Sequence, residues 1–128
     1  MNAIAQLEQR RAEILGEMAG IRSLERATLS EQMMRVPQKG RKEGVLRGPY
    51  YVLARWQGGK TRSRRVGREE LERVRRDVAN RERFLALSEE FMDLTQRLGE
   101  VERKADAEQE ALKKGLKSRS NKAGKSLG

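Results

Sequence analysis

The chain has no cysteine and no histidine among its 128 residues. Disulfides, thiolate metal sites and zinc fingers are therefore excluded, as is any catalysis that relies on an imidazole base. Proline occurs twice, and aromatic residues make up only 4% of the chain. Hydrophobic residues are 36%, below the roughly 45–50% of an ordinary globular domain. A broad, spherical core is not available at that level. No segment approaches the ~18 consecutive apolar residues of a membrane helix. The opening MNAIAQLEQRR has no unbroken apolar run and does not read as a signal peptide. A soluble, cytoplasmic protein without membrane association is the expectation.

What the chain has in abundance is charge, at 38% of residues, with a net charge of +10. Its distribution is uneven. Residues 1–34 carry 4 basic and 5 acidic residues (−1), and residues 35–68 carry 11 and 1 (+10). Residues 69–112 carry 8 and 13 (−5), and residues 113–128 carry 6 and none (+6). Positive charge concentrated in a central block and a tail points to a polyanionic partner.

The apolar pattern gives four segments. In residues 1–28, Ile4, Leu7, Ile14, Met18 and Ile21 step by three and four, with Arg11 at the remaining seam position, which predicts a helix over about 3–26. Residues 29–67 read as a β-meander of two to three strands. LSEQMMRV suggests a short strand near 30–36, with a helical extension through Met34 as the competing reading, and QKGRKEG a loop. GPYYVLARW and KTRSRRV are strands joined by Gly58-Gly59, where both residues of a tight hairpin turn can take positive φ. In residues 68–112, Leu71, Val74 and Val78, then Phe84, Leu87, Phe91, Leu94, Leu98, Val101, Ala105 and Leu112 predict a long second helix, with Glu69 and Glu70 in its first turn. Residues 113–128, rich in Gly, Ser and Lys, read as a disordered basic tail. The fold class expected is α+β, mainly α: an antiparallel helical coiled coil with a small β head. Antiparallel pairing would place Arg11 opposite Leu94. Continuation of the second helix past the first suggests a homodimer.

A two-residue turn fixes the hairpin register, with Gln57 facing Lys60, Arg55 facing Arg62 and Val52 facing Arg65. Tyr50, Val52, Ala54 and Trp56 then share one face, expected to pack on Leu71, Val74 and Val78. Arg55, Lys60, Arg62 and Arg64 share the other, with no acid nearby in sequence to relieve the opposed Arg55 and Arg62. Guanidinium rows of this kind suit phosphate oxygens, and a two-stranded ribbon fits a B-DNA major groove. The candidate nucleic-acid-binding residues are Arg41, Lys42, Arg47, Arg55, Lys60, Arg62, Arg64 and Arg65 in the head and Lys113, Lys114, Lys117 and Arg119 in the tail. Tyr50, Tyr51 and Trp56 either pack the sheet on the helix or stack on bases.

The stretch GPYYVLARWQGGKTRSRRVG followed by EELERVRRDVANRERF resembles a family of small uncharacterised bacterial proteins, a domain of unknown function often encoded near transposases. The resemblance covers about residues 28–100 and implies a hairpin plus coiled coil. The hairpin is also loosely similar to the arm-type DNA-binding domain of tyrosine integrases. The matching positions are Tyr50, Tyr51, Val52, Arg55, Gly59, Lys60, Arg62 and Arg64. That likeness implies docking of the sheet in the major groove. No recombinase catalytic domain accompanies it.

No enzymatic activity, metal or cofactor is expected. Serines lack a histidine base, no pair of carboxylates converges, and Gly58-Gly59-Lys60-Thr61 lacks the upstream glycine of a P-loop. The leading expectation is a nucleic-acid-binding accessory protein, DNA favoured over RNA, with a recombinase or transposase as protein partner. The alternative is a coiled-coil adaptor whose basic head binds an acidic protein surface. RNA or ribosome association is a third reading that composition does not separate from these.

Overall fold

A computed structural model describes residues 2–126, with side chains described as far as Leu116. The element order is α1 (Ala3–Gly20), β1 (Thr28–Gln38), β2 (Arg41–Gln57), β3 (Lys60–Val66) and α2 (Arg68–Ser126). The chain forms two compact units, one of residues 19–86 and one of residues 1–18 with 87–128.

In the second of these units α1 packs on α2. The Asn2 side chain caps α1 by accepting a hydrogen bond from the Ala5 amide at 2.7 Å. Ile14 is fully buried, Leu87 and Leu98 nearly so, and Ile4, Leu7, Arg11, Met18, Phe91, Leu94 and Val101 are half-buried. The three-four spacing has therefore picked out the buried stripe. Beyond Val101 the stripe is exposed, at Ala105, Glu108 and Leu112. Arg11 lies where an antiparallel pairing puts it. Its guanidinium stacks over Phe91 at 4.9 Å and its Nε donates to Thr95 Oγ1 at 3.1 Å, on either side of Leu94. Arg10 beside it makes a forked contact with Glu90, Nε to Oε2 at 2.8 Å and Nη2 to Oε1 at 3.0 Å. That hydrogen-bonded guanidinium holds the Glu90 carboxyl below the usual carboxylate range.

α1 stops at Gly20, short of the residue 26 expected. Gly20 weakens the helix, and an alternative set of contacts takes over after it. Ser23 donates its hydroxyl to Asp77 Oδ1 at 2.7 Å, the Glu25 amide donates to the Asp77 carbonyl at 2.9 Å, and Asn80 Nδ2 donates to the Ser23 carbonyl at 3.0 Å. Asp77, 5% exposed, is the only buried polar residue of the described part. It anchors the 21–27 connector to α2 within the unit of residues 19–86.

The sheet of that unit is an antiparallel meander, β1-β2-β3. The β2–β3 register is the one Gly58-Gly59 dictates: Gln57 faces Lys60, Arg55 faces Arg62 and Val52 faces Arg65. Both turn glycines have positive φ, 60° and 77°. The packed face, however, is the opposite of the one expected. Leu53 and Val66 are buried with Ala27 and Val74, and Leu29, Tyr51, Leu71 and Val78 close over them. Tyr50, Val52, Ala54 and Trp56 face away from α2. The flanking strands decide this. On the α2 side β1 offers Leu29 and β3 offers Val66, whereas on the other side they offer Thr28, Ser30, Thr61 and Ser63. Burying Leu53 and Val66 together outweighs the single strand's apolar even positions, at about 1.5–3 kcal/mol per buried aliphatic side chain.

A second difference concerns β1 and β2, which are longer than expected. The segment 38–44 is not a loop. Pairing runs on through Val36 with Val45 to Gln38 with Arg41, leaving a tight turn at Lys39-Gly40. Proline and glycine sit at irregularities within the ladder. The register shifts between Gln32 and Met34 and again between Val36 and Gln38. Gly44, at φ 71°, faces Val36 so closely that a Cβ there would lie 2.6 Å from the Val36 carbonyl oxygen. Because β3 pairs only with Tyr51–Gln57, residues 33–49 form a ribbon of two strands paired with each other alone.

α2 begins after Gly67 with Glu69 and Glu70 in its first turn, as expected, and its backbone is helical to Ser126. The expectation of an end near residue 112 and an unstructured tail differs from this. Ala111, Leu112, Lys113 and Lys114 are good helix formers, and extending a helix already nucleated costs little per residue.

Candidate nucleic-acid interface

The basic residues of the head fall into two groups that the sequence does not distinguish. On the α2 side of the β2–β3 hairpin Arg55 and Arg64 have acidic partners and Arg62 has none among the described residues. Arg55 is ion-paired with Glu25, which is 16% exposed. Arg64 Nη1 lies 3.0 Å from Glu70 Oε2, and Arg73 shares that carboxylate at 3.6 Å. The opposed pair Arg55 and Arg62 does exist. It is relieved on the Arg55 side by a residue of the connector thirty positions earlier. No acid near Arg55 and Arg62 in sequence relieves them; the relief comes from the distant Glu25, and Glu70 pairs with Arg64 on the same face. On the opposite face Arg65 lies over the Tyr50 ring at 4.1 Å and reaches the Met34 sulfur at 3.2 Å. Within the hairpin Lys60 and Arg62 are exposed and have no acidic partner among the described residues.

The β1–β2 ribbon is different. Residues 33–49 contain Arg35, Lys39, Arg41, Lys42 and Arg47 against Glu43 alone, five basic minus one acidic or +4. Arg35 donates to the Glu43 carbonyl at 3.3 Å, a contact that leaves its charge uncompensated. Lys39, Arg41, Lys42 and Arg47 are exposed and without an acidic partner among the described residues. A hollow of about 430 Å³ opens around the turn, lined by Arg35, Lys39, Arg41, Lys42 and Glu43. Of the head residues singled out in the sequence, then, Arg41, Lys42, Arg47, Lys60 and Arg62 present free charge. Arg55 and Arg64 hold the sheet to the connector and to α2, and Arg65 packs on Tyr50.

Lys113 and Lys114 are exposed on α2, while Lys117 and Arg119 lie outside the described side chains. Lys39 and Arg35 belong with the free set and are not among the sequence candidates. Their signal was the basic run flanking Gly40. Glu25 and Asp77 carried no local signal, since their roles depend on contacts thirty and more residues away. Among the described residues no group of three potential ligands could hold a metal ion, and no helix is long and apolar enough to cross a membrane.

A match to known proteins comes from one direction only. No curated protein and no solved structure is similar to the chain. A family described as "Domain of unknown function (DUF6788)" matches residues 4–76, which span α1, the whole sheet and the first turns of α2. The match begins earlier and ends earlier than the resemblance over 28–100. It takes in both the connector and the ribbon, and it covers more than half of the chain, which therefore belongs to the DUF6788 family.

Proposed function

We propose that this chain is a non-enzymatic DNA-binding accessory protein whose main contact surface is the β1–β2 ribbon. The observation that carries the reading is the set of exposed Lys39, Arg41, Lys42 and Arg47, unopposed by acid, on two strands paired only with each other. A ribbon of that width enters a B-DNA major groove, and its cations replace condensed counterions on the phosphates. Lys60 and Arg62, also exposed, lie at the other end of β2 and are not part of this surface, while Lys113, Lys114, Lys117 and Arg119 add contacts that do not depend on sequence. In this reading the protein works in the cytoplasm beside a recombinase or transposase of a mobile element. The α2 stripe beyond Val101 pairs two copies or grips that enzyme.

The test is filter binding of duplex DNA over a salt series. The reading expects retention that falls steeply with salt, by roughly 0.9 log units per log unit of salt for each phosphate contact. Retention of neither DNA nor RNA at low salt would end it. A second reading, a coiled-coil adaptor, is favoured by the exposed Leu85, Met92, Leu112 and Leu116 on α2. It expects a protein partner that stays bound after nuclease treatment, and a basic head that contacts that partner.

A further inference from the structure

Trp56 is the only tryptophan of the chain, and 72% of it is exposed. The other head aromatics are engaged, Tyr50 under Arg65 and Tyr51 under Arg75 at 5.0 Å. Trp56 has no ring contact, hydrogen bond or ion pair among the described residues. It stands on the sheet face turned away from α2, and its neighbours there are small. Thr61 is its cross-strand partner, and Ala54, two residues along, pairs with Ser63 and Thr28. β1 pairing ends at Thr28, so no strand covers the other flank. The indole faces are therefore open.

Beside the ring lies a groove of about 590 Å³, lined by Glu25, Arg26, Arg55, Trp56, Gln57 and Arg81 among others. Its one carboxylate is taken up by Arg55. Arg26 has no acidic partner among the described residues, and Arg81 pairs at 3.8 Å with the exposed Glu82. An open indole next to the unpaired Arg26 and to Arg81, whose one ion pair is with an exposed carboxylate, is what a single nucleic-acid strand needs: a surface for one base and cations for the phosphates on either side of it.

Resting on the DNA-binding reading above, we infer that Trp56 is a stacking platform for an unpaired base of single-stranded DNA, with Arg26 and Arg81 on the adjoining phosphates. The site is separate from the ribbon turn. Arg41 and Trp56 are at opposite ends of β2, up to roughly 50 Å apart at the rise of an extended strand. A duplex on the ribbon and an unpaired base on Trp56 are thus distinct engagements.

The indole itself reports the result. The full-length chain is titrated with an oligothymidylate of about ten nucleotides, with an oligouridylate of the same length, and with a duplex, while tryptophan emission is followed. Labelled oligonucleotides give the affinities of the parent, Trp56→Phe and Trp56→Ala. The expected result is quenching by oligothymidylate. Trp56→Ala should lose at least about fivefold in oligothymidylate affinity, the low end of the effect of removing one stacking aromatic. Trp56→Phe should keep most of it, and duplex affinity should be unchanged in both. Trp56 is so exposed that neither substitution threatens the fold. Oligothymidylate binding that leaves the emission unchanged, or that Trp56→Ala matches, would overturn the stacking site while duplex binding stands. Quenching by oligouridylate alone would overturn the assignment to DNA. Failure of duplex and single strand alike would overturn this site and the DNA-binding reading together.

Discussion

The hairpin β2–β3 and the ribbon β1–β2 have much the same density of arginine and lysine, yet their charges have different work. In the hairpin, Arg55 and Arg64 are tied to Glu25 and Glu70 and help seat the sheet. In the ribbon, Arg41, Lys42 and Arg47 meet no acid among the described residues. Clustering along the chain therefore does not identify a binding surface. What identifies it is whether distant parts of the chain bring compensating charge. The same number of cations can be internal structure in one place and an open surface in another.

The comparison can be broken or sharpened by substitution, beginning where the effect is largest. Replacing Arg41, Lys42 and Arg47 together by alanine should lower duplex affinity by about 100-fold or more at low salt. The slope of log affinity against log salt should flatten by about 2.7 if each contacts one phosphate. Thermal unfolding of that variant should match the parent, because the residues removed are exposed and unpaired. Next comes the core that holds both regions in register. Leu53→Ala should cost about 2–5 kcal/mol in chemical denaturation, because Leu53 is packed against Val66 and Val74.

Smaller effects separate the two regions more finely. Arg55→Ala should cost about 1–3 kcal/mol, since it leaves the Glu25 carboxylate largely buried without its partner. Arg62→Ala, directly opposite, should stay within about 0.5 kcal/mol and should even relieve repulsion. Equal losses for the two would mean that Glu25 does not distinguish them. The smallest effect lies in the other unit. The Arg10 contact lowers the folded-state pKa of Glu90, so the stability it contributes is present above the unfolded pKa and is lost as pH falls through the folded one. Thermal unfolding of Glu90→Gln should therefore lie below the parent near neutral pH and converge with it in acid.

The sequence made some of this readable. Gly58-Gly59 fixed the β2–β3 pairing residue by residue, because a two-residue turn leaves one register. The three-four spacing of Ile14, Leu87 and Leu98 marked the helix seam, and Arg11 sits beside Leu94 as that seam required. Three features were not readable, each for a physical reason. Both faces of β2 contain apolar residues, so the packed face is decided by Leu29 and Val66 on its neighbours. Pro37 and Gly44 look like loop residues but lie where the ladder shifts register. Partnering of Arg55 and Asp77 depends on contacts made only when the connector folds against the sheet and α2. The second of these hid the pairing of the ribbon, although its charges Arg41, Lys42 and Arg47 were readable as a basic run.

In the proposed reading the ribbon, and not the hairpin row, holds the DNA. This is tested most directly by fluorescence anisotropy of a labelled duplex across a salt series, for the parent, the Arg41→Ala/Lys42→Ala/Arg47→Ala variant and the Arg55→Ala/Arg64→Ala variant. The account predicts steep, salt-sensitive binding by the parent, its collapse in the ribbon variant, and near-parent affinity in the hairpin variant. A ribbon variant that binds as tightly as the parent, or a hairpin variant that alone loses binding, would contradict it.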